Sequence, residues 1–289
     1  MLDTGPAPAS DDGGDTAAVP SHNLALRIVS ALVLAPLAVL VAWRGDWPFA
    51  LFWGIAAIAV LWEWTRMVVG PRYLMMLSSC ASALAVADLV SWRGRPITGI
   101  LLVGLGALAA TIFAPRERRF WITAGVGYAG TLMLAPMLLR ADRHDGFAAM
   151  VLLFAIVWST DVFAYIAGRA IGGPKLAAAI SPKKTWAGAI AGAFGAVVVA
   201  IAIAKPFGMF DLSTIAIIAF LLSVCSQLGD LLESAVKRHF GKKDAGWLIP
   251  GHGGVMDRLD GFWAAALVAC LIGLMRGGFE NAARGFLVW

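Results

Sequence analysis

The stretch Trp186-Ala-Gly-Ala-Ile-Ala-Gly-Ala-Phe-Gly-Ala-Val-Val-Val-Ala-Ile-Ala-Ile-Ala204 contains no charged side chain. A helix of this length is long enough to cross the roughly 30 Å hydrocarbon core of a bilayer. Similar apolar runs recur along the chain, which has 289 residues, of which 60% are hydrophobic and only 14% are charged. Soluble proteins carry about 25% charged residues. The sequence therefore predicts an all-α, polytopic helical integral membrane protein.

Nine segments are apolar enough to be candidate transmembrane helices, and many of them end at Trp, Tyr, Gly or Pro. Trp and Tyr are common at membrane interfaces, whereas Gly and Pro mark the turns between helices. The nine predicted spans are 24–42, 47–64, 73–92, 97–114, 120–139, 147–168, 186–204, 212–228 and 261–275.

The connections between the spans carry an uneven distribution of Lys and Arg. If the N-terminus is cytoplasmic, about two thirds of the 23 basic residues lie on the cytoplasmic side. We therefore expect a multi-pass protein of the cell inner membrane whose N-terminus and unusual polar loops face the cytoplasm. Residues 1–22 are predicted to form a disordered acidic tail. Residues 23–145 would form about five N-terminal spans, and residues 146–289 a C-terminal region of about four spans with the polar loops.

Several classes of function are disfavoured by composition. The net charge is +5, but the sequence contains no basic arm of the kind that binds nucleic acid, so no nucleic-acid partner is expected. The three cysteines lie inside apolar runs without the spacing of metal ligands. The two halves contain no matching pair of broken helices, which would have suggested a transporter.

A polar stripe follows the eighth apolar run, between residues 227 and 238. At about 100° per residue, six polar side chains fall within an arc of about 140° on a helix. Ionisable groups near membrane depth cost a few kcal/mol each, so they commonly mark a functional site. The alternative is a solvated helix face beyond the bilayer. The stripe consists of Gln227, Asp230, Glu233, Ser234, Lys237 and Arg238.

A glycine-rich loop, Gly251-His-Gly-Gly254, precedes two carboxylates three residues apart, Asp257 and Asp260. Glycine lets backbone N–H groups approach a phosphate closely. Carboxylates at this spacing share a helix face and suit Mg²⁺. The alternative is a glycine turn followed by acidic residues that favour a helix N-terminus.

Two other segments carry polar residues of interest. The loop with Ser181, Lys183 and Lys184 combines hydroxyls and cations that suit a polyphosphate, although it could also be a positive-inside anchor. Asp161 lies in the sixth span and should face a polar cavity, unless it forms a structural pair with an arginine. Glu63 lies near the end of the second span and is predicted to be an interfacial anchor.

From Ser234 to Asp260 the chain resembles the phosphatidate cytidylyltransferase (CDP-diacylglycerol synthase) family. The pattern of that family reads Ser-x-hydrophobic-Lys-Arg, then Lys-Asp, then Pro-x-His-Gly-Gly, then Asp-Arg-x-Asp. Residues 158–169, 181–185 and 227–234 also match, so the resemblance covers roughly the second half of the chain. The matching positions are Ser234, Val236, Lys237, Arg238, Lys243, Asp244, Gly246, Ile249, Pro250, His252, Gly253, Gly254, Asp257, Arg258 and Asp260.

The resemblance implies that CTP and phosphatidate react to give CDP-diacylglycerol and pyrophosphate, with Mg²⁺ required and a monovalent cation such as K⁺ as second ion. It also implies a homodimer in the lipid bilayer. One alternative is a CTP-dependent lipid-alcohol kinase, which would need a base for the hydroxyl. A CDP-alcohol phosphotransferase would require further Asp residues downstream. A cation transporter would require carboxylates near the middle of the bilayer.

The predicted roles follow from the chemistry of this reaction. The lipid phosphate is already a good nucleophile, so the enzyme mainly brings two anions together and stabilises the leaving pyrophosphate. The predicted metal ligands are Asp230, Glu233, Asp257 and Asp260. The predicted catalytic residues are Asp230, Lys237, Asp257, Arg258 and Asp260. The predicted substrate-binding residues are Ser181, Lys183, Lys184, Ser234, Arg238, His252, Gly253, Gly254 and Asp161.

Overall fold

The computed structural model describes residues 21–70, 74–208, 211–249 and 253–289. Within these ranges the chain forms ten α-helices and one short antiparallel hairpin. The tail predicted at residues 1–22 lies outside the described residues, except for Ser21 and His22, which belong to α1. The elements are α1 (Ser21–Arg44), α2 (Asp46–Val68), α3 (Leu74–Trp92), α4 (Pro96–Phe113), α5 (Arg119–Arg140), α6 (Gly146–Ala170), β1 (Lys175–Ala177), β2 (Ser181–Thr185), α7 (Trp186–Ala204), α8 (Leu212–His239), α9 (Met256–Gly277) and α10 (Ala282–Leu287).

Each of the nine predicted spans overlaps one helix between α1 and α9. Seven segments are long and apolar enough to cross a membrane, and they correspond to α2 and to α4 through α9. Among the described residues, α1 and α3 contribute only the shorter apolar stretches Leu32–Arg44 and Met76–Trp92. The polytopic helical class is confirmed, and within the part of the chain that the structure describes seven helices are long and apolar enough for a complete span.

Local chemistry explains where the helices of the second half begin and end. Thr185 caps α7 by accepting a hydrogen bond from the backbone N–H of Gly188 at 3.1 Å. Asp211 caps α8 by accepting from the backbone N–H of Thr214 at 3.1 Å. Helix α8 continues past its apolar part to His239, and the basic residues of its last turn interact favourably with the helix dipole. The predicted amphipathic extension of the eighth span is therefore confirmed.

The helices form two packed groups that meet at α5. One group contains α2, α3, α4 and α5, and the other contains α6 to α10. Helix α5 packs against both α6 and α9, and α2 also reaches α9. The boundary predicted at residue 145 falls in the connection between α5 and α6, yet the helices on its two sides are in direct contact.

The α6–α7 interface depends on small residues. A Cβ atom at Gly192 would lie 2.9 Å from the carbonyl oxygen of Thr160, and a Cβ atom at Gly188 would lie 2.7 Å from that of Ala164. In a membrane the hydrophobic effect does not drive helices together, so close packing of small residues stabilises their association. This interface holds α7, and the hairpin that precedes it, against α6.

We expect Gly192→Ala to lower the free energy of unfolding by about 1–3 kcal/mol, because the added methyl group would overpack the interface. Gly104 provides a matched control, since a Cβ atom there would meet nothing within 4 Å. Gly104→Ala should be neutral or slightly stabilising because Ala favours a helix. Thermal unfolding in one detergent compares the two variants. Equal unfolding temperatures for both would contradict the close α6–α7 approach.

The end of the bundle opposite the hairpin is held by Asp142, which is 7% exposed. Its Oδ1 accepts hydrogen bonds from the backbone N–H groups of His144 and Asp145, both at 3.0 Å. Its Oδ2 accepts from the N–H of Arg284 in α10 at 3.2 Å. This buried carboxylate therefore joins the α5–α6 turn to the last helix of the chain.

Candidate functional site

Three carboxylates from two helices meet where the apolar part of α8 ends. Asp230 and Glu233 on α8 and Asp260 on α9 each offer an oxygen, and these atoms lie within 4.8 Å of one another. The two helices approach closely here, because a Cβ atom at Gly229 would lie 2.7 Å from the carbonyl oxygen of Asp260. We call these three residues the carboxylate cluster.

The carboxylate cluster has the character of a cation site. Glu233 is only 1% exposed, and its Oε1 has no hydrogen-bond partner among the residues described. Burial makes a carboxylate's charge costly, and neighbouring carboxylates also repel one another. Several oxygen ligands with negative charge are what a hard divalent cation prefers. The donor set of the cluster therefore fits a metal ion.

Two lysines border the carboxylate cluster. The Nζ of Lys237 lies 2.6 Å from Glu233 Oε2 and 2.6 Å from Asp257 Oδ1. Its side chain is only 12% exposed, so it is a buried cation between two acids. Lys184, on β2, forms an ion pair with Asp230. The hairpin thus supplies the site with a cation that is distant in sequence from α8.

Asp257 shares Lys237 with Glu233 of the carboxylate cluster and has further partners in the loop. Its Oδ1 accepts from Lys237, and its Oδ2 accepts from the backbone N–H groups of Gly254 at 2.9 Å and Ala245 at 3.1 Å. These contacts identify Asp257 as an anchor for the loop between α8 and α9. The role of Asp257 as a metal ligand stays a prediction from sequence, and in this structure its carboxylate is engaged by Lys237 and the loop N–H groups. Arg258, the next residue, is exposed.

The described part of the glycine loop is also engaged by the protein itself. The N–H of Gly253 donates to the carbonyl of Ile249 at 3.1 Å, and the N–H of Gly254 donates to Asp257. Gly253 has φ +87°, a conformation that favours glycine. These two N–H groups have partners within the protein in this structure, and their role as a phosphate cradle stays a prediction. His252, the third predicted residue of this loop, lies outside the described residues.

The other predicted residues of α8 take part in local contacts. Ser234 Oγ donates to Asp230 Oδ1 at 3.3 Å, so it supports a member of the carboxylate cluster. Arg238 donates from Nε to the carbonyl of Ile180 and from Nη1 to that of Lys242, both at 3.4 Å. Arg238 therefore links the tip of the hairpin to the loop that follows α8.

The hairpin and α6 complete the surroundings of the site. Ser181 is half-buried and Lys183 is exposed, and both lie on the same strand as Lys184. Asp161 lies on α6 and is exposed, and its placement at the site stays a prediction from sequence. The structure thus brings the cluster and both bordering lysines together, and the functional roles of these residues stay predictions.

One residue at the site was assigned a different role from sequence. Glu63 on α2 is 0% exposed, and its oxygens accept hydrogen bonds from the backbone N–H groups of Val255 at 2.9 Å and Met256 at 2.8 Å. The prediction that Glu63 is an interfacial anchor is therefore wrong. Its only signal in the sequence is an acid between Trp62 and Trp64 in an apolar run.

A second residue missed by sequence reasoning is Tyr128 on α5. Its ring stacks on that of Trp263 with 4.3 Å between centroids, and the residue is 6% exposed. Its hydroxyl has no hydrogen-bond partner within the described ranges and interacts electrostatically with Asp260 and Glu233. An isolated tyrosine in an apolar run gives no sequence signal for this placement.

Known proteins of one family are similar to this chain over most of its length. A model of the cytidylyltransferase family matches residues 25–275. A phosphatidate cytidylyltransferase of Brucella abortus is 43% identical over 267 residues, which cover 87% of this chain and 93% of that relative. A protein of the same name from Staphylococcus haemolyticus is 34% identical over 246 residues, which cover 81% of this chain and 92% of the relative.

Proposed function

Because the chain belongs to the cytidylyltransferase family, we propose that it transfers the cytidylyl group of CTP to phosphatidate, giving CDP-diacylglycerol and pyrophosphate. The observation that carries the proposal is the carboxylate cluster, bordered by Lys184 and Lys237 at the ends of apolar helices. A water-soluble nucleotide and a lipid headgroup can meet at such a position. Relatives that carry the name phosphatidate cytidylyltransferase support the same substrates.

In this reaction an oxygen of the lipid phosphate attacks the α-phosphorus of CTP, and the bond from that phosphorus to the bridging oxygen breaks. Pyrophosphate leaves with the bond electrons. The lipid phosphate is ionised at neutral pH, so the protein needs no strong base. Its tasks are to bring two anions together and to neutralise their charge. We assign phosphate neutralisation to Lys183, Lys184 and Arg258, and positioning of the cluster to Lys237 and Ser234.

We assign Mg²⁺ to Asp230, Glu233 and Asp260, because clustered oxygen ligands with excess negative charge suit a hard cation. When bound, Mg²⁺ would neutralise phosphate charge and stabilise the leaving pyrophosphate. Asp161 would support this charge arrangement from α6. A second, monovalent cation such as K⁺ stays a prediction from the resemblance.

We also propose that the protein lies in the cell inner membrane with its N-terminus and its site on the cytoplasmic side. CTP is a cytoplasmic nucleotide, and the basic hairpin and the loop after α8 lie at the end of the bundle that carries the site. The catalytic region would be residues 146–289, packed against the helices of residues 23–145. A homodimer is expected from the resemblance alone.

Product analysis tests the proposed reaction. Purified protein in mixed micelles would receive CTP labelled in its cytidine, phosphatidate and Mg²⁺. We expect labelled CDP-diacylglycerol and an equal amount of pyrophosphate. A parallel reaction with diacylglycerol and a polyisoprenol, and with CTP labelled in its γ-phosphate, would detect a lipid kinase through labelled phospholipid. Formation of that product alone, or cation uptake by vesicles without CTP, would contradict the proposal.

A further inference from the structure

The buried carboxylate of Glu63 joins the two groups of helices at the site. It lies on α2, and its two hydrogen-bond donors, Val255 and Met256, lie at the start of α9, as many as 193 residues later in the chain. Both oxygens are engaged, at 2.9 Å and 2.8 Å. Hydrogen bonds to a charged acceptor are stronger than neutral ones, and the positive end of a helix dipole adds to them. Glu63 therefore fixes the first turn of α9 in position.

Two glycines of the loop between α8 and α9 make room for this carboxylate. A Cβ atom at Gly254 would lie 2.8 Å from Glu63 Oε2, and a Cβ atom at Gly246 would collide with the same carboxyl group. The loop therefore wraps closely around Glu63 on both sides of residues 250–252. Glycine therefore suits both positions, because a larger side chain would clash with the Glu63 carboxyl group.

The aromatic residues beside Glu63 hold the outer edge of the same loop. The ring centroid of Trp247 lies 5.9 Å from that of Trp62 in an edge-on arrangement. The guanidinium of Arg66 lies 4.2 Å from the Trp247 ring and 4.9 Å from the Trp62 ring. Cation–π contacts of this kind are attractive and directional. The C-terminal part of α2 thus contacts the loop in two places. Glu63 accepts hydrogen bonds from it, and Trp62 and Arg66 pack against the exposed Trp247.

The position of Glu63 is coupled to the carboxylate cluster through one turn of helix. Met256, which donates to Glu63, is four residues before Asp260, so the two lie on the same side of α9 about 6 Å apart along its axis. Asp257 holds the other side of the loop through Ala245 and Gly254. A shift of Met256 would therefore move Asp260 relative to its partners on α8.

We propose that Glu63 is a positioning residue for the transfer reaction. By fixing the N–H groups of Val255 and Met256, it sets the start of α9 and hence the place of Asp260 in the carboxylate cluster. The inference rests on the proposed function where turnover is concerned, because Glu63 itself would touch neither substrate. Its coupling to the cation site is independent of which nucleotide or lipid reacts.

The test compares Glu63→Gln with Asp142→Asn. Asp142 is a matched control, because it is also a buried carboxylate that accepts backbone N–H bonds at a helix start, but at the opposite end of the bundle. For each variant one would measure the unfolding temperature, kcat and KM for CTP, and Mn²⁺ affinity by electron paramagnetic resonance without substrates. Disturbing residues that orient metal ligands lowers metal affinity about 10–100-fold.

For Glu63→Gln we expect Mn²⁺ affinity and kcat to fall at least about tenfold, with a smaller change in KM for CTP. Asp142→Asn should lose comparable stability while keeping kcat and Mn²⁺ affinity within about twofold. If Glu63→Gln is less stable yet keeps kcat and Mn²⁺ affinity, its role is structural only and the inference is overturned. The Mn²⁺ measurement needs no turnover, so it tests the inference even if the protein catalyses a different reaction.

If Glu63→Gln does not fold, Gly254→Ala replaces it. The added methyl group would press on Glu63 Oε2 without removing the buried charge. We expect Gly254→Ala to lower kcat and Mn²⁺ affinity in the same direction as Glu63→Gln. Unchanged values for a folded Gly254→Ala protein would overturn the inference.

Discussion

Replacing Asp260 by Asn is expected to lower kcat by about two to three orders of magnitude, the loss typical of removing one group that stabilises developing charge. The protein should remain folded, because the backbone N–H of Gly261, which donates to Asp260 Oδ1 at 2.7 Å, can donate equally to the Asn carbonyl. Removing one of three repelling carboxylates should leave the unfolding temperature unchanged or raise it. Initial rates with labelled CTP and thermal unfolding measure both effects.

Two variants sharpen this prediction. Glu280→Gln removes the same charge from an exposed residue beyond α9, and its rate should equal that of the unaltered protein. Asp257→Asn should lower the unfolding temperature, since an amide cannot replace the carboxylate between Lys237 and the loop N–H groups. If Asp260→Asn turns over within twofold of the unaltered protein, the carboxylate cluster is not the reaction centre.

Lys237→Met is expected to be the most destabilising single change at the site, lowering the free energy of unfolding by about 3–5 kcal/mol. Lys237 is the cation between Glu233 and Asp257, whose side chains are 0% and 8% exposed. Methionine preserves most of the volume but leaves two buried acids without their cation. The unfolding temperature should fall by on the order of 10 °C, measurable by differential scanning fluorimetry in detergent.

A control and a compensating change accompany Lys237→Met. Lys205→Met alters an exposed lysine at the far end of α7 and should leave the unfolding temperature unchanged. In the double variant with Glu233→Gln, one of the two uncompensated charges is gone, so part of the lost stability should return. No recovery in the double variant would show that Lys237 stabilises the fold through packing rather than charge.

The sequence predicted the spans well because crossing a bilayer imposes a length and an apolar composition on each helix. The same reasoning found the polar extension of α8, since its side chains share one helix face. It missed α10 and the hairpin β1–β2, which are too short for either signal. The sequence also did not show which helices pack against each other. Small residues such as Gly192 indicate that a helix packs closely against a neighbour, but they do not identify that neighbour.

The site was predictable only in part for a related reason. Asp230 and Glu233 share one helix face, and the spacing of Asp257 and Asp260 after the glycine-rich loop indicated a second carboxylate pair. Asp257 looked equivalent to Asp260 in sequence. In the structure, the Asp257 side chain is oriented by N–H donors of the loop between α8 and α9, and residue spacing does not predict the conformation of that loop. Glu63 was assigned to the membrane interface because its partners lie at least 192 residues away in the chain.

The long separation between Glu63 and its partners has a consequence for biogenesis. At about 5–20 residues per second, the ribosome needs roughly 10–40 s after making Glu63 before it reaches Val255. During that interval α2 enters the lipid with an acid that lacks its eventual donors, and such an acid is costly within a bilayer. Insertion of α9 supplies the donors, so we expect a chain that ends before α9 to leave Glu63 without them and to be less stable in the membrane.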